Sequence, residues 1–301
     1  MNMLIIQQLS YIKTLTSNEK TVAEYLINHM NDISKISIVD ISSATFTSNS
    51  TTVRLAQKLG YHGWKDLKTA CIEEQRYLNT HFHHVDPNAP FQKNDCFMKI
   101  ADNISTLLSE SILDTKSLIQ EDQLSNATQA IASHSIINIF GITFSIEIAH
   151  DFKIKMLSIG KHVNIVSNPE EYAFYFESSN QSECFIFISY SGETQELIQL
   201  AHNLRVKGYP TIAITSIGNN TLSKACYCWL PLSSREKITS KIANYTSNIS
   251  THYILDVLFS TVFAMNYDKN LSYKKNLSKK IDYGRTSVIP MLNDDEYEKS
   301  E

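Results

Sequence analysis

The sequence predicts two folded units in series. The first is an all-α helix-turn-helix domain over residues 1–79; the second is an α/β domain over residues 96–266, a five-stranded parallel sheet with helices on both faces. Three observations predict this. Residues 1 to about 80 show apolar positions at helical spacing only. From residue 135 onward, short β-branched apolar runs alternate with helical segments, the pattern of a parallel sheet buried on both sides. Between them, residues 80–95 hold Pro87 and Pro90 and no periodicity, and so read as a linker. With 301 residues the chain is long enough for two domains, and an apolar fraction of 43% fits a soluble globular protein.

In the first unit, Thr16 and Glu19 have the spacing of a capping box, and Val22, Leu26 and Met30 follow on one face. Ser37 starts a short second helix carrying Ile38, Ile41 and Ala44. After the turn Thr45-Phe46-Thr47, Thr47 or Ser48 caps a third helix with Val53, Leu55, Ala56 and Leu59, closed by Gly60. Two short helices around a tight turn suggest a helix-turn-helix. Asn49, Ser50, Thr52, Arg54 and Lys58 are expected to face outward. Short hydrogen-bonding groups at the start of a helix suit base edges in a major groove, and Arg54, Lys58 and Lys65 suit phosphates. The net charge of -4 promises no general attraction to nucleic acid, but residues 46–68 hold four Lys/Arg against one Asp, 4 − 1 = +3.

Beyond the linker, Ile100, Ile104, Leu107, Leu108 and Ile112 mark a long helix from Phe97, and a second helix runs from about Glu121 to Ala132. Strands are expected near 135–140, 162–166, 183–189, 210–215 and 226–232, with a long helix from Ile242 to Phe263. The stretch after β-branched Cys184–Ile188 is Ser189-Tyr190-Ser191-Gly192-Glu193-Thr194, and Leu197, Leu200, Ala201 and Leu204 then recur at helical spacing. Hydroxyls at the carboxyl end of a strand, beside the unpaired amides and positive dipole of a helix start, are a site for a phosphate monoester. An ordinary Ser-rich helix cap is the competing reading of those residues alone. Residues 267–301 read as a tail, basic through Lys280 and acidic from Asp294.

These stretches resemble two known families. Ser189 to Thr194 is similar to the Ser-x-Ser-Gly-x-Thr motif of SIS domains, which bind phosphorylated sugars on a flavodoxin-like sheet. Gly141-Ile142-Thr143-Phe144-Ser145 resembles the Gly-x-Gly-x-Ser turn after the first strand of that family, with Thr143 where a second glycine is usual. Thr47 to Tyr61 resembles the recognition helix of RpiR-type transcriptional regulators. It departs from that pattern in Phe46 for the turn glycine, Ser42 for a packing alanine and Leu55 for phenylalanine. Regulators of that family carry these two parts in this order. The resemblance therefore implies DNA contacts from Ser48, Asn49, Ser50, Thr51, Thr52, Arg54, Lys58 and Lys65. It implies sugar-phosphate contacts from Gly141, Ser145, Ser189, Tyr190, Ser191, Gly192 and Thr194.

The expected partners are a double-stranded DNA operator and a phosphorylated sugar, bound by a homodimer or homotetramer. No cofactor is expected. The five cysteines show no zinc spacing, and His81, His83 and His84 in the linker have no supporting carboxylate or cysteine, so no metal is expected. No signal peptide and no apolar run of about 18 residues is present, which points to a cytoplasmic protein. The alternative is a sugar-phosphate isomerase with an appended helical domain, for which Glu147, His150, Glu193 and Glu236 are the candidate acids and bases. The attached helix-turn-helix favours the regulator.

Overall fold

The computed structural model describes residues 5, 9, 15–81, 85–142, 144–218 and 220–281; of Asn31, residues 74–81, Phe144 and Ser145 only the backbone is described. His83, His84 and the side chains of His81 and Ser145 therefore lie outside the description.

In the N-terminal unit, α1 (Ser17–Asn28) opens on a complete capping box from Thr16 and Glu19, and α2 (Ile38–Thr45) on another from Ser37 and Asp40. After a turn at 46–48 comes α3 (Asn49–Lys58), then α4 (Trp64–His81). Val22, Leu26, Met30, Ile33, Ile41, Leu55, Leu59, Leu67 and Cys71 close one apolar cluster of their own, which shares no member with those of the sheet. On α2 the buried partner of Ile41 is Thr45 and not the expected Ala44, which is exposed. A spacing of four overlays residues on a helix face more closely than a spacing of three.

The linker is not a free tether. Residues 85–90 lie against the C-terminal unit: Asn88 accepts from the Ile242 amide (2.9 Å) and, through Oδ1, from the Lys237 amide (2.7 Å). Pro90 is buried, and its carbonyl accepts from Asn103 Nδ2 at 2.8 Å. Two helices follow, α5 (Phe97–Leu118) and α6 (Glu121–Ser133). The buried face of α5 is Leu107, Ser111, Asp114 and Thr115, while Ile100, Ile104 and Ile112 are half-buried.

The sheet follows the alternation read from the sequence to within a residue or two. Its elements are β1 (Ile136–Gly141), α7 (Phe144–Glu147), α8 (Ala149–Leu157), β2 (His162–Val166), α9 (Tyr172–Ser178), β3 (Glu183–Ser189), α10 (Gln195–Val206), β4 (Thr211–Ser216), α11 (Thr221–Ala225) and β5 (Cys228–Leu232). All pairings are parallel, in the order β2-β1-β3-β4-β5. Strand order reverses between β1 and β3, so the turns leaving those two strands flank the crevice where such sheets take ligands. Cys226 is not on β5; it caps α11, and the strand starts at Cys228.

The period of two along β3 sends Cys184, Ile186 and Ile188 to one face and Phe185 and Phe187 to the other. The aliphatic face packs on α6, α8 and α12 (Tyr245–Met265), the aromatic one on α9, α10 and α11. Phe140 and Phe187 stack with centroids 5.5 Å apart. The last long helix starts three residues later than expected, because Ile242 is held by the linker before α12 begins. Part of the expected tail is helical as well: α13 spans Tyr267–Ile281 and buries Asn270.

Candidate functional sites

At the N-terminal end of α3 the structure divides the expected DNA-reading residues into two sets. Ser48, Asn49, Ser50, Arg54 and Lys65 are exposed. Thr51 and Thr52 are not: they are 2% and 0% exposed, and Thr52 Oγ1 is buried without a partner. Thr52 therefore points into the domain and does not face outward. The sequence carried the signal, for Thr52 stands three, four and seven residues before Leu55, Ala56 and Leu59, all on one helical face. Thr51 serves as a local tie, its Oγ1 3.2 Å from Ser48 Oγ and 3.3 Å from Arg54 Nη2.

Lys58 departs from expectation in part. It is exposed as expected, but its ammonium lies 2.7 Å from Glu19 on α1, a carboxylate only 2% exposed, so its charge is paired within the domain. Together with hydrogen bonds from Thr16, that contact lowers the Glu19 carboxyl from 4.5 to about 2. Lys68 donates to the Ile36 carbonyl (2.8 Å); Arg54 and Lys65 are the exposed cations of the 46–68 segment besides the Glu19-paired Lys58.

The second constellation is the turn leaving β3. Ser189 Oγ lies 3.2 Å from Thr194 Oγ1 and accepts from the Gly192 amide at 3.3 Å; Ser191 Oγ accepts from the Glu193 amide at 3.3 Å. Three hydroxyls are thereby gathered at the start of α10. Gly192 has φ +67, and a Cβ there would lie 2.2 Å from Asn220 Oδ1 and 2.7 Å from Thr215 Oγ1. The missing side chain makes room for the β4–α11 turn. Across the crevice, a Cβ on Gly141 would lie 3.0 Å from the Ile188 carbonyl, so this glycine serves the contact between β1 and β3. Ser145 sits in α7, on the same side of the sheet as the Ser189 turn by its position after β1.

Sequence reasoning named Tyr190 and Glu236 separately and missed that together they form the other wall. Tyr190 Oη donates to the Glu236 carbonyl (2.8 Å) and accepts from the Glu236 amide (3.0 Å). The Glu236 carboxylate, on a residue 2% exposed, accepts from Lys241 Nζ (3.0 Å), Ser247 Oγ (2.7 Å) and the Thr246 amide. Lys241 Nζ also stands 5.0 Å over the Tyr190 ring, which places a cation beside turns that contain none of their own. The signal available was Tyr190 between two serines.

Of the candidate general bases, Glu193 is occupied by the Thr221 amide and hydroxyl (2.9 and 2.8 Å) and Glu236 by the three donors above. Glu147 and His150 are exposed neighbours 3.9 Å apart. Asp151, His252 and Asp256 cluster at the surface, but the Lys155 ammonium already bonds both carboxylates, so the group has its cation.

Among the described helices that have a hydroxyl residue at the N-cap, these two places differ from the others. Four described helices have a hydroxyl residue at the N-cap. Thr16 and Ser37 bond back to the helix amides, whereas Ser48 ahead of α3 and Thr194 ahead of α10 do not. An uncapped helix start keeps donors and positive potential for something outside the chain. The sequence implies contacts to phosphates or polar base edges at both ends.

Comparison with known proteins fits both modules. Residues 1–76 match the helix-turn-helix domain of the rpiR family, and residues 130–261 match the SIS domain. An uncharacterised HTH-type transcriptional regulator of Caldanaerobacter subterraneus subsp. tengcongensis is 23% identical over 275 residues, 91% of this chain and 95% of the relative. The HTH-type transcriptional regulator YbbH of Bacillus subtilis is 23% identical over 270 residues, 89% of this chain and 93% of the relative. Among solved structures, the Vibrio vulnificus NanR protein complexed with ManNAc-6P aligns with 96% of this chain and 100% of its own, at 21% identity and a TM-score of 0.59. The sugar isomerase domain of an RpiR transcription factor from Sphaerobacter thermophilus aligns with 60% of this chain and 98% of its own, at 14% identity and a TM-score of 0.53. At those identities the two structures speak for the fold. With an rpiR-family helix-turn-helix domain ahead of a SIS domain, and regulators as relatives along nearly its whole length, the chain belongs to the RpiR-type transcriptional regulators.

Proposed function

We propose that the chain binds a DNA operator as a symmetric dimer or dimer of dimers, and that a phosphorylated sugar at the β1 and β3 turns changes that binding. The observation that carries this is the pair of hydroxyl N-caps, Ser48 and Thr194, whose side chains make no cap bond to their helices at the two places the motifs point to. In this reading Ser48, Asn49 and Ser50 meet base edges, and Arg54 and Lys65 meet phosphates. Thr51, Thr52 and Lys58 hold the helix in place from behind. One helix reads only a few base pairs, so two half-sites about one helical turn apart, or a multiple of it, give useful affinity.

At the other site Ser145, Ser189, Ser191 and Thr194 surround the phosphate with the first amides of α10. Lys241 adds charge that hydroxyls cannot supply. The NanR neighbour was crystallised with a phosphorylated sugar, which agrees with this ligand class. The isomerase reading loses support from Glu193 and Glu236, whose carboxylates are committed within the protein. Turnover of sugar phosphates by the pure protein would restore it.

The docked linker offers a route between the sites. Tyr190 in the phosphate turn grips Glu236, and Asn88 grips Lys237 and Ile242 on the same loop. Asn88 stands seven residues after His81, the end of α4. An effector couples to DNA only through states it binds unequally; movement of this loop would alter how α4 is held. A thermal-shift screen of sugar phosphates against the free sugars tests the ligand class, with a shift expected from phosphates alone. The double variant Ser189→Ala, Ser191→Ala should then bind the operator as before and no longer respond to the sugar phosphate found. A full response from that variant would place the effector elsewhere.

A further inference from the structure

We infer that Phe46 is a DNA-contacting residue whose ring meets apolar atoms of the duplex beside the recognition helix; the inference rests on the DNA reading above. Two properties of this residue work against the folded protein alone. Its backbone is left-handed, φ 52 and ψ 37, where the Cβ of an L-residue crowds the following carbonyl. Among the described residues every other positive φ belongs to a glycine: Gly60, Gly160, Gly192, Gly208 and Gly218. Its side chain is also 97% exposed, so the ring gains nothing from burial.

Nor does the ring hold the turn together. The Phe46 and Thr47 amides both donate to the Ser42 carbonyl, the latter at 3.1 Å. Thr45 Oγ1 donates to the Ile41 carbonyl at 2.6 Å and lies 2.9 Å from Thr47 Oγ1. Glycine would keep all of these bonds and relieve the backbone. Strain held at an exposed aromatic side chain therefore points to a contact made outside the chain.

The place of the turn says what that contact is. Phe46 stands three residues ahead of Asn49, at the end of α3 that would enter the major groove. The exposed residues that follow it in the chain, Ser48, Asn49 and Ser50, are all polar. The centre of a protein–protein interface is more apolar than that. Duplex DNA offers isolated apolar groups within a polar surface: the thymine 5-methyl in the major groove, and the carbons of deoxyribose.

Full-length wild type and Phe46→Gly should each be used to select from a library of random 20-base-pair duplexes, with melting temperatures measured beside them. The best wild-type duplex is then remade with uracil replacing thymine one position at a time. We expect Phe46→Gly to melt no lower than wild type and to bind the wild-type duplex several-fold more weakly. If the partner is a thymine methyl, one uracil in one half-site should cost wild type about fourfold, the transfer value of a buried methyl group, and cost the variant nothing. A weaker variant with no uracil effect in either protein assigns the contact to deoxyribose. Equal affinity of the two proteins for that duplex overturns the inference and leaves the DNA reading standing, as does a variant that melts lower. Failure of wild type to enrich any sequence overturns the DNA reading, and this inference with it.

Discussion

The turn at 46–48 and the turn at 189–194 are built from the same parts and solve opposite problems. Each joins a regular element to a helix, each contains one left-handed residue, and each ends on a hydroxyl N-cap that does not cap. Ahead of α3 the left-handed residue is a phenylalanine 97% exposed to solvent. Ahead of α10 it is Gly192, enclosed by Asn220 and Thr215. The first turn is shaped by what it presents outward, the second by what it must fit against inside. Similar local chemistry thus tolerates very different residues, depending on whether the space beside the left-handed residue is filled by the chain or open to solvent.

The largest effect is expected from Gly192→Ala. The new methyl would lie 2.2 Å from Asn220 Oδ1 and would sit on a left-handed backbone as well. Strain and overpacking each cost on the order of 1–3 kcal/mol. Thermal melting should fall by many degrees, opposite in sign to Phe46→Gly. A melting temperature like that of wild type would mean that the β4–α11 turn yields freely, and the contrast between the turns would be lost.

Next comes Glu19, which belongs to a helix end that is capped. Its folded carboxyl titrates near 2 against an ordinary 4.5, held down first by Lys58 and then by Thr16. A depressed carboxyl contributes stability that is complete above the unfolded value and is lost as pH falls through the folded one. Glu19→Gln should therefore lower the melting temperature of the helix-turn-helix domain at pH 7. The gap from wild type should narrow between about pH 4.5 and pH 2. A gap independent of pH would show that the Glu19–Lys58 contact does not carry the stability. The same contact predicts that Lys58→Ala loosens the domain instead of simply removing a phosphate contact.

The smallest effects separate the two faces of α3. Arg54→Ala should weaken operator binding and reduce the salt slope by about one counterion, read by fluorescence anisotropy at several salt concentrations. Thr52→Val replaces a buried hydroxyl that has no partner with a methyl group. It should leave operator affinity unchanged and stability equal or slightly raised. Loss of sequence preference in Thr52→Val would return that side chain to the DNA surface.

The sequence by itself determined what depends on near neighbours. Strand positions followed from short β-branched runs, the start of α1 from Thr16 three residues before Glu19, that of α2 from Ser37, and the two candidate turns from their hydroxyl and glycine spacing. These choices are made within a few residues, by periodicity and by the need to satisfy helix-end amides. The tertiary structure decided the rest. Lys58 finds Glu19 across 39 residues, Gly192 fits Asn220, and Asn88 fastens the linker to Lys237 at a separation of 149. None of these pairs has a local pattern, because a long-range contact depends on where packing of two apolar faces brings the chain, not on residues beside it. For the same reason four outward-looking positions on α3 could be read correctly while Thr52 was not. Periodicity fixes which residues share a helix face, and only the core it meets fixes which face is buried.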